Sequence, residues 1–249
     1  FYRAWYTPNN AVIVISGDVT AADVKPMVQR HFGALPSRDL PTRPDWKEPP
    51  RSADRMVSLS HPRVRQPSWS RRYLVPNYGA SDRQQKYALN VLTEILSGGT
   101  TGRFYRRLVV EQALAAHAGA WYSGDNRGPG VFGFYGSPRP GRTLDEIETA
   151  IEAEIAAVLE NGVTDEEVKL AVERMQAEAV FARDSLNAPP RILGNALMSG
   201  QSIEDVEAWP ERIGAVTKQA VDAAARAVLR TGGTVTTRLT PQSKPEKKS

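Results

Sequence analysis

Two stretches near opposite ends of the chain are built alike, and a chain that closes twice in the same way folds as two related units. Arg3-Ala4-Trp5-Tyr6 leads through Pro8-Asn9-Asn10 into the apolar run Ala11-Val12-Ile13-Val14-Ile15. Near the other end, Arg226-Ala227-Val228-Leu229 leads through Gly232-Gly233 into Thr234-Val235-Thr236-Thr237-Arg238-Leu239. Each predicts the end of a helix, a tight turn and a strand. Phe1 opens inside the first of these helices with no initiator Met, so most of the first unit is expected upstream. The domain reading that follows is a C-terminal remnant of a first αβ domain plus linker over 1–48, a complete second αβ domain over 49–241, and a polar tail over 242–249.

Thr20 is placed to cap a helix from Ala21 to His31, and Pro36, Pro41, Pro44, Pro49 and Pro50 predict an extended linker as far as Arg51. Strands are expected near Arg55–Ser60 and Trp69–Val75, the second with Trp69, Arg71, Tyr73 and Val75 on one face. Ser81-Asp82-Arg83-Gln84 has the form of a capping box before a helix that Gly98-Gly99 breaks. A helix over Gly102–Leu114, strands over Ala118–Ser123 and Val131–Gly136, and a turn-rich connection between those strands come next.

Thr143…Glu146 and Thr164…Glu167 are two more capping boxes, opening helices expected to pack as an antiparallel pair, the second ended by Pro189-Pro190. Shorter helices over Arg191–Met198, Ser202–Trp209 and Thr217–Leu229 precede a last strand over Thr234–Thr240, and Lys244–Ser249 is expected to be disordered. Hairpins beside runs of helices predict an α+β fold with helices on one face of a mostly antiparallel sheet.

Composition removes several function classes. There is no cysteine, hence no disulfide, thiol nucleophile or thiolate metal site. No apolar stretch approaches the roughly 20 residues that cross a bilayer. The net charge of +4 is unevenly placed: six arginines (51, 55, 63, 65, 71 and 72) stand in 51–72 against Asp54, and eleven acids in 144–178 against Lys169 and Arg174. The acidic run reads as the solvated side of two helices. No motif that reaches base edges accompanies the basic stretch, so no nucleic-acid partner is expected.

The run Trp5-Tyr6-x-Pro8-Asn9-Asn10-Ala11-Val12-Ile13-Val14-Ile15-Ser16-Gly17-Asp18, with His31-Phe32-Gly33-x-Leu35-Pro36 after the next helix, resembles the end of the first domain in the pitrilysin/insulinase-like zinc metallopeptidases, a group that includes the mitochondrial processing peptidase. Leu92-x-x-Ile95-Leu96-x-Gly98-Gly99-x-x-Gly102-Arg103-Phe104-x-x-x-Leu108 is similar to the second-domain signature of that family. The resemblance implies two related αβ units closing around a peptide, as in processing-peptidase-like metallohydrolase domains. It implies zinc held by an H-x-x-E-H helix and a further glutamate in the first unit, where the intervening Glu activates the metal-bound water.

None of these ligands is found here. His31, His61 and His117 lie far apart without metal-ligand spacing, so no catalytic, cofactor-binding or metal residue is assigned to this chain. His31 reads as a helix-end cation, His61 as a loop residue, and His117 as a residue at a strand start. The family also uses an Arg and a Tyr, seven residues apart, to hold the substrate carbonyl, and alignment on Leu108 and Leu114 puts Val109 and Ala116 there. Neither side chain donates a hydrogen bond.

That departure implies a subunit that supplies zinc while a related partner supplies the Arg and Tyr. The resemblance therefore implies the C-terminal portion of a zinc endopeptidase that cleaves peptides or unfolded polypeptides. In this reading the parent carries Zn, the fragment is inactive and forms the second half of the substrate chamber, and a homologous subunit, identical or related, is the partner. The implied location is the periplasm, with the cytoplasm left open. The alternatives are a non-catalytic structural or interaction subunit of the same fold and a stand-alone binding module resting on the arginines of 51–72. On the peptidase reading, Arg103, Arg106 and Arg107 either attract acidic substrate segments or form a solvated basic helix face.

Overall fold

Threonine oxygens placed three residues before a carboxylate start three helices of this chain. Thr20 accepts from the Asp23 N–H at 3.3 Å, Thr143 from Glu146 at 3.2 Å and Thr164 from Glu167 at 3.1 Å, and each carboxylate reaches back to the threonine N–H. Each box satisfies two N–H groups that a helix leaves without internal partners.

The structure is a computed structural model that describes residues 1–43, 53–75, 83–230 and 232–242. The later part of the proline linker, Ser81 and Asp82 of the expected capping box, and the tail from 243 lie outside the described residues. The chain forms two compact units, Phe1–Pro49 with Glu178–Ala208, and Pro50–Ala177 with Trp209–Ser249.

In the first unit, α1 (Tyr2–Trp5) and the single 3₁₀ turn Pro8–Asn10 precede α2 (Ala21–Phe32). Side-chain amides tie this turn to the chain around it: Asn10 Nδ2 donates to Trp5 O and Asn9 Nδ2 to Arg38 O, both at 2.9 Å. The run Ala11–Ile15, expected as a strand, pairs with no other strand among the described residues, and Val12, Ile13 and Ile15 are about half exposed (49, 50 and 51%). The apolar pattern is that of a strand, but a strand is completed by hydrogen bonds to a neighbour.

The other segment of this unit holds the end of α5 (Asp165–Ala182), α6 (Ala188–Ser199) and α7 (Ile203–Glu207). Pro189-Pro190 does not end α5, which stops at Ala182, but sits in the first turn of α6. The missing proline N–H costs nothing there, because first-turn N–H groups have no helical acceptor.

The second unit is a five-stranded sheet in the order β1 (Arg55–His61), β5 (Val235–Pro241), β2 (Ser68–Val75), β4 (Gly130–Pro138), β3 (Ala115–Ser123). Only β1 and β5 run parallel, and every other neighbouring pair is antiparallel. The α+β class expected from the sequence is the one observed. The register puts Trp69, Arg71 and Tyr73 of β2 beside Gly136, Phe134 and Phe132 of β4, and Ala118, Ala120 and Tyr122 of β3 beside those same three. All therefore share one face, the alternation legible in β2.

The helices of this unit pack on that face. α3 (Arg83–Ser97) packs on β3 and on α9 (Lys218–Val228), while α4 (Leu144–Asn161) packs on β4, β2 and α9. Rather than pairing chiefly with α5, α4 lays Ile147 and Ile151 on the sheet, because Gly136 leaves a gap where they seat. A Cβ at Gly136 would stand 2.6 Å from Ile147 Cγ2 and 3.1 Å from Ile151 Cδ1. Phe132, Phe134, Leu92, Ile147 and Ile151 are wholly buried between the layers, each contributing about 1.5–3 kcal/mol by leaving water. Phe134 sits at the centre, edge-to-face with Phe104, Tyr73 and Phe132. The helix expected over Ser202–Trp209 is two short helices, α7 and α8 (Trp209–Gly214), with Pro210 in the first turn of the second.

Candidate functional site

Gly98-Gly99 ends α3 as expected, but the segment after it is not one α-helix over Gly102–Leu114. A 3₁₀ turn at Gly99–Thr101 leads into a short helix whose greater part, Tyr105–Glu111, is a π-helix. It closes with Gln112 N–H donating to Arg107 O at 2.9 Å and Leu114 N–H to Leu108 O at 3.0 Å, and Ala113 holds a left-handed φ of 50°. Hydrogen bonds to the fifth and sixth preceding carbonyls widen the helix, a feature that single-residue propensities do not encode.

The widened turn directs two of its three arginines inward. Arg103 donates through Nε and Nη2 to both Glu167 oxygens at 2.6 Å, with a further bond to Gly162 O at 3.3 Å. Arg107 Nη1 reaches Glu154, itself buried, at 2.7 Å. Burial pushes the Glu167 carboxyl up, but hydrogen bonds from Arg103 and the Thr164 N–H outweigh it and hold the group at about 2. The same carboxylate raises the pKa of Arg103. Arg103 thus ties this segment to α5 and Arg107 ties it to α4, the first largely buried and the second with 38% of its side chain still exposed. Arg106 is the most exposed of the three, 3.6 Å from Glu111.

The two positions aligned with the Arg and Tyr of the resembling family stand close to this turn. Val109 is buried and its carbonyl accepts from Arg139 Nη2 at 2.7 Å, and Ala116 is exposed at the bulge where β3 shifts register between Ala115 and His117. The three histidines occupy separate elements. His31 lies in the last turn of α2, His61 ends β1 with Nδ1 accepting from the Arg63 N–H at 3.2 Å, and His117 is exposed on β3 with its ring 6.2 Å from that of Tyr135. Among the described residues, no three His, Asp or Glu side chains come together as a metal site.

What the fold does assemble is the other face of the sheet, which among the described residues of this unit carries no packed helix beyond the end of α3, whose Ser97 Oγ would lie 2.5 Å from a Cβ at Gly119. Ser70, Arg72 and Leu74 of β2 stand there with Gly133 and Tyr135 of β4 and with Gly119 and Trp121 of β3. Val57, Leu59, Val235 and Thr237 continue it across β1 and β5. Gly133 lies between Arg72 and Trp121, and a Cβ there would be 2.5 Å from the indole. The missing side chain lets Trp121 lie flat over the strand, with the Arg72 guanidinium carbon 5.9 Å from its ring centroid. Val57 and Leu59 are 55 and 56% exposed, and Leu74 and Tyr135 are 38% exposed.

Sequence reasoning placed Trp69 and Arg71 on one side and so, by alternation, Arg72 on the other. Trp121 and Tyr135 were missed because their meeting with Arg72 depends on strand register.

The pattern of a known protein family, the peptidase M16 inactive domain, matches residues 1–175. An uncharacterized zinc protease of Streptomyces coelicolor is 28% identical over 233 residues, which is 92% of this chain and 50% of that protein. Among solved structures, a protease from Helicobacter pylori superposes with a TM-score of 0.87 at 20% identity, over 96% of this chain and 57% of that one. The first half of the periplasmic protease PqqL from Escherichia coli gives 0.77 at 15% identity, over 96% and 53%. The chain thus spans about half the length of the relatives it matches.

Proposed function

We propose that this chain, which belongs to the peptidase M16 inactive domain family, is the C-terminal portion of a zinc-dependent endopeptidase and forms the second wall of its substrate chamber. The observation that carries the reading is the one-sided sheet. Five strands with every packed helix on one face present a broad surface of backbone and side chains on the other, and an enclosing wall requires that form. The zinc site is assigned to a preceding half, because no three His, Asp or Glu side chains come together among the described residues, and no step of the bond cleavage is assigned to this chain.

Two further observations support a missing half. Phe1, Tyr2, Ile13, Met27 and Phe32 of the first unit are large apolar residues left 48% exposed or more. Large apolar side chains left this exposed suit an interaction site. The strand-like run Ala11–Ile15 likewise pairs with no strand among the described residues, its Ala11 N–H donating to Pro8 O at 3.2 Å, and an unpaired run of this kind suits a neighbouring strand. The substrates proposed are peptides or unfolded polypeptides, the partner a homologous subunit, and the location the periplasm, as stated for the Escherichia coli protease of like fold.

Purification of the chain without chelator, followed by metal analysis and a casein-hydrolysis assay, tests the assignment. No zinc and no hydrolysis are expected, and stoichiometric zinc would overturn it. Val109 and Ala116, which offer no donor to a substrate carbonyl, also favour a second reading, a non-catalytic subunit of the same fold. An intact H-x-x-E-H upstream of Phe1 separates the peptidase from the scaffold.

A further inference from the structure

Strands β1 and β2 divide the three arginines they carry between residues 51 and 72 by face. On the helix-covered side, Arg71 is bound to Glu148 at 2.9 Å and to Glu152 at 2.8 Å. Arg238 on the same side meets Asp145 and Glu148. On the bare side, Arg55 and Arg72 are exposed, and neither makes an ion pair with any described residue. The five strands contain no aspartate or glutamate at all. Asp54, next to β1, is engaged by the N–H groups of Gly232 and Thr234 and by the Thr234 hydroxyl at 2.7 Å, which hold its carboxyl below the usual range. Cationic charge is therefore neutralised under the helices and left unmatched on the open surface.

Around Arg72 the surface is mostly apolar, and its polar neighbours Ser70 and Thr237 are hydrogen-bonded to each other at 2.7 Å. Trp121 lies flat beside it, and Leu74, Tyr135, Val57 and Leu59 extend outward, all partly or largely exposed. An arginine held against an indole presents its remaining N–H donors outward in the fork that suits a carboxylate. The apolar neighbours suit the side chains that flank an acid on an extended chain, where alternate residues face the same way. Nucleic acid is less well matched, because phosphates along a backbone call for a row of cations, and aliphatic side chains interrupt this one.

We propose that the bare face of the sheet recognises acidic, apolar-flanked segments of unfolded polypeptide, with Arg72 as the carboxylate-binding side chain and Trp121 as the floor beside it. This deepens the chamber-wall reading and rests on it. Fluorescence anisotropy of labelled extended peptides with the whole 249-residue chain tests it, comparing a peptide of alternating Glu and Leu with its Gln-for-Glu counterpart at low and high salt. The Glu peptide should bind at least about fivefold tighter at low salt, with the advantage shrinking as salt rises. Arg72→Glu should abolish the advantage, and Arg106→Gln, on an exposed side chain of the π-helix, should keep it.

Because Arg72 is exposed, both variants should retain the far-UV circular dichroism of the parent chain. Equal binding of the two peptides, unchanged by Arg72→Glu, would overturn acid recognition and leave the wall reading intact. Absence of binding by either peptide would remove both. An oligothymidylate that displaces the Glu peptide and binds more tightly would overturn the proposal in favour of nucleic acid.

Discussion

Replacing Gly136 by alanine tests where α4 meets the sheet. The new methyl carbon would stand 2.6 Å from Ile147 Cγ2 and 3.1 Å from Ile151 Cδ1, with both isoleucines wholly buried. The shorter contact is about 1 Å inside ordinary carbon–carbon separation, and a close-packed interior has little room to yield. Overpacking of this kind costs about 1–3 kcal/mol. Ile147→Ala alone should cost about 2–5 kcal/mol through the cavity it opens. In the double variant the added methyl enters that space, so the pair should be less destabilised than the sum of the singles by about 1 kcal/mol or more. Urea unfolding followed by circular dichroism and tryptophan fluorescence, with unchanged slopes, supplies the four free energies. A neutral Gly136→Ala, or strict additivity to within about 0.5 kcal/mol, would refute the seating of α4 on β4.

Arg103→Met should destabilise the chain by about 1–3 kcal/mol at neutral pH, less than a fully dry pair costs, because the Glu167 side chain keeps 27% of its surface exposed. Glu167 is held at about 2 against an ordinary 4.5, so its contribution is complete above about 4.5 and is lost as pH falls towards 2. The acid limb of a stability–pH curve should therefore be shallower for Arg103→Met across that window, and equal slopes would contradict the pairing. Thr143→Ala removes the oxygen that accepts from Glu146 N–H at 3.2 Å and should lower stability by about 1 kcal/mol in the same urea assay, whereas Thr143→Ser should retain most of it.

The elements written in local chemistry were legible in the sequence. A capping threonine marked the starts of α2, α4 and α5, with a carboxylate three residues on marking the last two, and the alternation Trp69-x-Arg71-x-Tyr73-x-Val75 gave the buried face of β2. What escaped the reading depends on distant parts of the chain. The π-helix over Tyr105–Glu111 arises where Arg103 and Arg107 reach carboxylates some 47 to 64 residues away in sequence. Pro189-Pro190 signals a helix boundary whether it ends one helix or begins the next, and only the stop of α5 at Ala182 decides between them. Ala11–Ile15 has the composition of a strand without a partner strand among the described residues. The bare face was half legible, since alternation assigned Arg72 to it but could not bring Trp121 of β3 across Gly133 to meet it.

The chain has no cysteine, so a single introduced thiol reports its own exposure. Thr236 and Thr237 are neighbours on β5, the first 4% exposed under the helices beside Arg71 and the second on the bare face beside Ser70. The most direct measurement is the rate of maleimide labelling of Thr236→Cys and Thr237→Cys in the native protein. With the packed helices of this unit on the other side, the thiol at 237 should react at least about tenfold faster than the thiol at 236, which waits for local opening. Equal rates, or faster reaction at 236, would contradict a sheet that is bare on the face bearing Arg72 and Trp121.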